Sequence, residues 1–244
     1  MCGRYDLIVI GQVLAARFRV TAEQAGEVGQ NWQPRYNIAP SQLNPVVVAA
    51  ENRGKDLVTM KWGLVPSWAK APKTSFSTIN ARAETITQKP AFRKLLSGKR
   101  CLVPATGYFE WSASGGAGGK QPYRVQVTGD DSGEDRILAM AGLEDRILAV
   151  AGLYDVWKGQ YGEPLLTYTI ITNEASPGIR SLHERMPVIL SREDEEVWLD
   201  PRINETEWLL SLLRPYPDTQ LSTYRVGPLV NSPSNDRAEL IRAA

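Results

Sequence analysis

Seven short runs with the composition of β-strands are spread unevenly along the chain, and only some of them are followed by a helical pattern. A βαβ repeat needs a helix after each strand, so a parallel α/β architecture is not expected. The sequence instead predicts an α+β fold: a single domain with a mostly antiparallel β core, barrel-like or curved, and short flanking helices. The expected strands cover 43–50, 56–62, 101–111, 123–128, part of 137–157, 165–172 and 186–190. The expected helices cover 21–29, 90–96, 192–199, 205–213 and 236–242.

Local signals mark some of the boundaries between these elements. Thr21 is followed by Gln24, the spacing of a helix capping box, and 204–207 has the composition of a second helix start. Residues 112–120 are rich in serine and glycine, which is typical of a flexible surface connection between two strands. Their spacing does not match a phosphate-binding Walker loop.

A tandem repeat lies within the middle of the chain. Residues 134–143 read EDRILAMAGL and residues 144–153 read EDRILAVAGL, so nine of ten positions are identical. One solitary repeat of this length does not indicate a solenoid. An insertion of even length preserves the alternation of side chains along a strand. Because the second copy continues into a further strand-like run, we expect that copy to form the core strand and the first to bulge out or extend the hairpin.

Bulk properties describe an ordinary globular chain and exclude several function classes. The chain has 244 residues and a formal net charge of +1, so we expect one domain over 2–244, and any nucleic-acid binding must depend on a local cluster of charge. Cys2 and Cys101 are the only cysteines and His183 is the only histidine. We therefore expect no disulfide framework, no zinc site and no cofactor. The absence of a signal-peptide core and of a long apolar segment predicts a soluble, cytoplasmic protein.

Cys2 is the residue with the most distinctive chemistry. Removal of Met1 before such a small residue would leave Cys2 with a free α-amine and a thiol on adjacent carbons. These two groups can attack one aldehyde in turn, giving an imine and then a five-membered thiazolidine. An α-amine with a pKa near ~7.8 is roughly a tenth neutral at pH 7, far more than an ordinary lysine. The alternative is a frayed, inert chain end.

Glu110 lies among three aromatic residues at the end of an apolar run, in the segment GYFEW. A carboxyl in such surroundings has a raised pKa and can transfer protons near neutral pH. The alternative is a glutamate at an exposed strand end. The sequence favours neither interpretation.

Two further segments pair a hydrogen-bonding side chain with an arginine two residues later. If they are extended, Asn80 and Arg82 share one face, and His183 and Arg185 share another. Pro187 favours an extended conformation just before it. The amide and the imidazole could act on a reacting amine or sugar while the guanidinium groups hold phosphate. Taken alone, each segment is also compatible with a structural role.

Cations and aromatic rings alternate in the segment KWGLVPSWAK. Trp62 and Trp68 could stack on bases while Lys70 pairs with phosphate, an arrangement typical of single-stranded nucleic-acid binding. Core tryptophans beside surface lysines would look the same. Arg35 lies in a proline-bounded loop that has no chemistry of its own, and Cys101 is interpreted as a buried strand thiol.

Taken together, these segments resemble the SRAP (SOS-response-associated peptidase) family. The matching pieces are MCGR, YNIAPSQ, WGLVPSWAK, TINARAET, KRCLVPATGYFEW, LHERMPVIL, WLDP and VGPLVNSPSNDRAEL, and they cover nearly the whole chain in order. The chain departs from the family pattern only at the duplicated decamer and the glycine-rich loop.

The resemblance implies a bacterial, nucleoid-associated protein that recognises abasic sites in single-stranded DNA, including single-strand to duplex junctions, and acts as a monomer. Cys2 would form a thiazolidine with the ring-opened sugar aldehyde, which would make the protein a self-crosslinking, lyase-like enzyme. By similarity, the catalytic set is Cys2, Asn80, Glu110 and His183. The expected DNA contacts are Arg4, Arg35, Trp62, Trp68, Lys70, Arg82, Trp111 and Arg185.

The same residues are compatible with two other functions. The first is a cysteine hydrolase with Cys2 as nucleophile and His183 as base, which could include autocatalytic removal of Met1. The second is a non-covalent binder of single-stranded DNA in which Cys2 is incidental.

Overall fold

The N-terminal strand of the protein is an interior element of a sheet. The computed structural model describes residues 2–51, 54–72, 78–112, 119–128, 144–159, 162 and 164–244, and twelve strands in these ranges form two sheets. The strands are β1 Arg4–Leu7, β2 Arg35–Ile38, β3 Leu43–Ala49, β4 Lys55–Trp62, β5 Asn80–Arg82, β6 Arg100–Ala105, β7 Gly107–Ser112, β8 Gln121–Val127, β9 Leu148–Trp157, β10 Leu165–Glu174, β11 Arg185–Pro187 and β12 Leu221–Arg225. The helices are α1 Gly11–Phe18, α2 Ala22–Asn31, α3 Pro177–Arg180, α4 Arg192–Leu199 and α5 Thr206–Ser211.

Five strands close into a barrel. They follow the order β10-β4-β3-β6-β9, and β10 pairs with β4 on one side and with β9 on the other. The β4–β10 pair is parallel and the other pairs in the ring are antiparallel. Strands β5 and β11 extend from β10. This mixed barrel with a few short helices confirms the predicted α+β fold with a mostly antiparallel core.

A second sheet lies in the order β12-β8-β7-β1-β2 and is antiparallel throughout. In this sheet Arg4 lies opposite Phe109 and Tyr5 lies opposite Tyr108. The same register, continued by one residue, brings the chain just before Arg4 alongside Glu110. Strand pairing therefore holds the segment that begins at Cys2 in the core, whereas residues close to a chain end are commonly disordered.

A buried ion pair fixes this central strand. Arg124 of β8 donates to both carboxylate oxygens of Asp6, at 2.7 and 2.9 Å, and both side chains are almost completely buried. The Thr106 hydroxyl donates to the same carboxylate at 2.5 Å, and the Thr106 amide donates to the Asp6 carbonyl at 2.8 Å. A Cβ atom at Gly107 would lie 2.8 Å from the Arg124 guanidinium, so a larger residue at position 107 would displace the arginine from its place beside Asp6.

Several predicted elements are confirmed with small shifts at their ends. Strand β3 and helix α4 lie where they were expected, and the Thr21 hydroxyl oxygen caps α2 by accepting from the Gln24 amide. The second copy of the repeat leads into β9, as expected. The first copy lies outside the described residues, as do residues 113–118 of the glycine-rich loop.

Other predictions are wrong. The continuous strand 101–111 is two strands in different sheets, broken at Thr106, where the backbone and hydroxyl bond to β1 instead of continuing the ladder. Residues 90–96 form successive turns, because their amides bond mainly to carbonyls three residues back. The segment 236–242 contains only a short 3-10 helix, Ala238–Ile241.

The sequence patterns also missed several elements. Helix α1 begins without a side-chain cap, and β1, β2, β5 and β12 are too short to give a clear periodic pattern. In the described part of the chain, no helix is long and apolar enough to cross a membrane.

The buried pair gives a stability prediction. Asp6→Ala leaves the Arg124 guanidinium buried without its counter-charge, so we expect the free energy of unfolding to fall by about 3–5 kcal/mol. Urea unfolding followed by tryptophan fluorescence measures this loss. The control is Glu239→Ala, which removes an exposed pair with Arg237 and should cost less than ~1 kcal/mol. Equal losses in the two variants would contradict the assigned role of the buried pair.

Candidate active site around Cys2

Cys2 is buried two residues before β1, and its backbone carbonyl is bound by Asn80. The Asn80 side-chain amide donates to the Cys2 carbonyl oxygen at 2.9 Å, and Cys2 is only 1% exposed. The Cys2 thiol lies 3.9 Å from the Arg4 carbonyl oxygen. Asn80 is brought there by β5, in which it lies opposite Ile170 of β10. The structure thus brings together two residues that are 78 positions apart.

Trp62 supports the position of Asn80 from within the core. Its indole N–H donates to the carbonyl of Ile79 at 2.9 Å, and its ring stacks on Tyr168 with 6.3 Å between centroids. Trp62 is 0% exposed, so its ring presents no face to a nucleic-acid base. The prediction that Trp62 contacts DNA is therefore wrong. The alternation of cations and aromatics in its segment could not separate a core ring from a surface ring.

Glu110 lies on β7, on the same strand face as Tyr108, and is 2% exposed. Burial raises the pKa of Glu110 to about 7, and the nearby positive charge of Lys120 acts in the opposite direction. Burial, together with the charge of Glu110, also raises the pKa of the Cys2 thiol well above its ordinary value. Cys2 and Glu110 are therefore electrostatically coupled, and Glu110 can hold or release a proton near pH 7.

His183 approaches the same region from the loop between α3 and β11. Its Nδ1 accepts a hydrogen bond from the Arg185 backbone amide at 2.9 Å, so the neutral ring carries its proton on Nε2. Partial burial lowers the pKa of His183, and the positive charge of Lys120 lowers it further. The same charge lowers the pKa of Glu110. The expected extended pairing of His183 with Arg185 is not found, because β11 begins only at Arg185.

An arginine-lined groove lies beside the site. Arg185 donates to the two carboxylate oxygens of Glu84 at 2.7 and 2.9 Å and to the Thr172 carbonyl at 2.6 Å. Glu84 follows β5 and Arg185 begins β11, so this pair links the two segments that carry Asn80 and His183. The groove has a volume of about 420 Å³ and is lined by Arg82, Glu174, Arg180, Glu184 and Arg185.

Three of the expected DNA contacts form hydrogen bonds or ion pairs with the C-terminal segment. Arg4 donates to the side-chain oxygen of Asn37 at 2.7 Å and to the carbonyl of Val230 at 2.8 Å. The Trp111 indole donates to the side-chain oxygen of Asn231 at 2.7 Å. Arg35 pairs with Asp236, which also accepts from the Tyr36 amide.

Trp68 is an exposed aromatic residue in the segment that follows β4. It is 68% exposed, and the loop that carries it is anchored on both sides. The Ser67 amide donates to Asp155 at 2.7 Å, and the Trp157 indole donates to the Ala69 carbonyl at 2.8 Å. Lys70 is also exposed, so the loop presents the Trp68 ring and the Lys70 ammonium group to solvent. The two hydrogen bonds hold the backbone of this loop in place.

Sequence reasoning missed Glu84 and Tyr108. Glu84 stands in the quoted TINARAET segment, but nothing in that segment indicates that its partner is Arg185, 101 residues away. Tyr108 stands two residues before Glu110, and only strand alternation could have placed both on one face.

Comparison with known proteins gives a consistent result. A family model described as SOS response associated peptidase (SRAP) matches residues 1–233. The abasic site processing protein YoaM of Bacillus subtilis (strain 168) is 39% identical over 243 residues, covering 100% of this chain and 98% of that protein. The abasic site processing protein HMCES of Gallus gallus is 37% identical over 236 residues, covering 86% of this chain and 66% of that protein. A crystal structure of a protein from Bacteroides thetaiotaomicron matches with a TM-score of 0.81 and 27% identity, covering 100% of both chains.

The raised pKa of Glu110 predicts a pH dependence of stability. Between its ordinary value of 4.5 and about 7, the folded protein keeps a proton that the unfolded chain has released. The raised pKa of Glu110 therefore contributes up to about 3 kcal/mol to the free energy of unfolding below about pH 4.5, and this contribution is lost as the pH rises through 7. Glu110→Gln should flatten this part of the curve measured by urea unfolding from pH 4 to 8. A Glu110→Gln curve that runs parallel to both the parent and an exposed Glu239→Gln control would contradict the assignment.

Proposed function

The chain belongs to the SOS response associated peptidase (SRAP) family, and from this membership and the site around Cys2 we propose that it processes abasic sites in DNA by forming a covalent crosslink through Cys2. Two relatives are named abasic site processing proteins, which supports an abasic site as the substrate. The observation that carries the chemistry is the burial of Cys2, whose carbonyl is bound by the Asn80 amide and whose thiol interacts electrostatically with the Glu110 carboxyl.

The proposed reaction begins after hydrolysis of the Met1–Cys2 peptide bond. The freed amine attacks the aldehyde carbon of the ring-opened sugar, and loss of water gives an imine. The thiol sulfur then adds to the imine carbon while its proton passes to the nitrogen, which closes a thiazolidine. Asn80 positions the reacting residue by holding the Cys2 carbonyl.

Glu110 and His183 are the proposed proton-transfer groups. A carboxyl with a pKa of about 7 can accept a proton from the attacking amine and return it to the departing hydroxyl. A neutral His183 ring with its proton on Nε2 can assist opening of the deoxyribose ring. The two groups therefore divide the proton transfers between imine formation and ring opening.

The proposed strand contacts are exposed groups in the segment after β4 and in the arginine-lined groove. Trp68 offers a face for base stacking, and Lys70 and Arg82 are exposed cations for phosphates. Arg185 reaches the same groove, where a phosphate would replace the Glu84 carboxylate as its bidentate partner. Arg4, Arg35 and Trp111 are assigned to holding the C-terminal segment.

The cysteine-hydrolase alternative fits the site less well. A nucleophilic cysteine acts as a thiolate and is activated by surroundings that lower its pKa. Here burial and the neighbouring carboxyl raise the pKa of the Cys2 thiol. An amine-first attack needs no thiolate, so these surroundings favour imine formation.

The crosslink can be tested on a denaturing gel. The protein is incubated with single-stranded DNA containing one abasic site, and a shifted band that survives denaturation is expected. Cys2→Ala should abolish this band, and so should an acetylated or extended N-terminus, because both remove the free aminothiol. Cys101→Ala is the matched control, since it deletes the other buried thiol and should leave the band unchanged. A band retained by the blocked protein would refute the proposal, and salt-sensitive binding without any band would identify a non-covalent binder.

Substitution of Glu110 should change the rate of crosslinking, whereas substitution of Trp68 should change the affinity for the DNA strand. Glu110→Gln should slow crosslinking by roughly 10²-fold or more at saturating DNA, because the proton transfer is lost.

Trp68→Ala should instead weaken strand binding by about 1–3 kcal/mol and leave the saturated rate nearly unchanged. Trp208→Ala, on α5, is the control for loss of an exposed tryptophan. Equal binding by both tryptophan variants would remove Trp68 from the strand contacts.

A further inference from the structure

Tyr108 carries a hydroxyl group that the fold itself does not use. The residue is 1% exposed, and its phenolic oxygen has no hydrogen-bond partner in the described structure. Burying a hydroxyl without a partner costs free energy, and phenylalanine would fill the same space without that cost. A buried hydroxyl without a hydrogen-bond partner therefore indicates a ligand-binding group.

The position of Tyr108 places this hydroxyl in the Cys2 site. Tyr108 lies two residues before Glu110 on β7, so both side chains project from one face of the strand. It lies opposite Tyr5 of β1, and its hydroxyl is close enough to Cys2 and Glu110 to interact electrostatically with both. Burial raises the pKa of Tyr108, and the charges of Cys2 and Glu110 act in the same direction. The hydroxyl therefore stays protonated and is a hydrogen-bond donor.

Asn80 supplies a complementary unused atom. Its side-chain nitrogen donates to the Cys2 carbonyl, but its side-chain oxygen is buried and has no partner among the described residues. The site thus contains a donor on one side chain and an acceptor on the other. A ligand hydroxyl is the group that can accept from the first and donate to the second at once.

We propose that Tyr108 and the side-chain oxygen of Asn80 form a subsite for the hydroxyl group of the aldehyde that reacts with Cys2. This inference rests on the proposed function and names the substrate more closely. When the sugar of an abasic site opens, C1 becomes the aldehyde and C4 gains a free hydroxyl. The subsite favours such hydroxyaldehydes over aldehydes of similar size that lack the hydroxyl, because a ligand without it leaves both protein atoms unpaired.

A comparison of two variants on two strands tests the subsite. One strand contains a natural abasic site, and the other contains an acyclic aldehyde of equal length without the hydroxyl. Tyr108→Phe should lower the single-turnover crosslinking rate on the abasic strand by about three- to tenfold and leave the rate on the second strand unchanged. Its melting temperature should be equal to that of the parent or higher, because only an unpaired hydroxyl is removed.

Tyr5→Phe is the matched control on the facing strand. The Tyr5 hydroxyl is hydrogen-bonded to Tyr168 at 2.8 Å, so this variant should lose melting temperature while keeping the parent ratio of rates on the two strands. The subsite is refuted if Tyr108→Phe slows both strands equally, slows neither, or melts lower as Tyr5→Phe does. A parent protein that crosslinks neither strand would instead refute the proposed function.

Discussion

The pairing of β1 with β7 is the constraint on which the site depends. It places β1 between two strands, and Cys2, two residues before β1, is a core residue. The buried pair of Asp6 and Arg124, with Thr106 between the sheets, stabilises this register. A shift of one residue would turn each side chain of β1 to the opposite face and would separate Cys2 from Asn80 and Glu110.

Burial gives the site its chemistry as well as its geometry. The same apolar surroundings raise the pKa of Glu110 to about 7 and raise the pKa of the Cys2 thiol, while partial burial lowers the pKa of His183. All three groups are therefore shifted towards their neutral forms. A site of this kind suits the proposed condensation of an amine with an aldehyde, which needs uncharged reactants and short proton transfers.

Core and surface roles are divided among residues of the same type. Trp62 and Trp68 are six positions apart, yet the first supports the Asn80 segment from the core and the second is exposed on an anchored loop. Arg4 is bound by carbonyl and amide oxygens of the protein, whereas Arg82 lines the open groove. The proposed DNA surface is thus narrower than the set of aromatic and basic residues in the sequence.

The amino-acid sequence by itself determined the fold class, the strand β3, the helix α4 and the family, because these depend on local composition and on motifs in a fixed order. It also identified Cys2, Asn80, Glu110 and His183 as candidates from their chemistry and their resemblance. Only the tertiary structure decided which sheet each half of 101–111 joins and that Trp62 is buried while Trp68 is exposed. It also decided that Glu84 is the ion-pair partner of Arg185. These outcomes depend on pairings between residues far apart in the chain, and neither periodicity nor spacing contains that information.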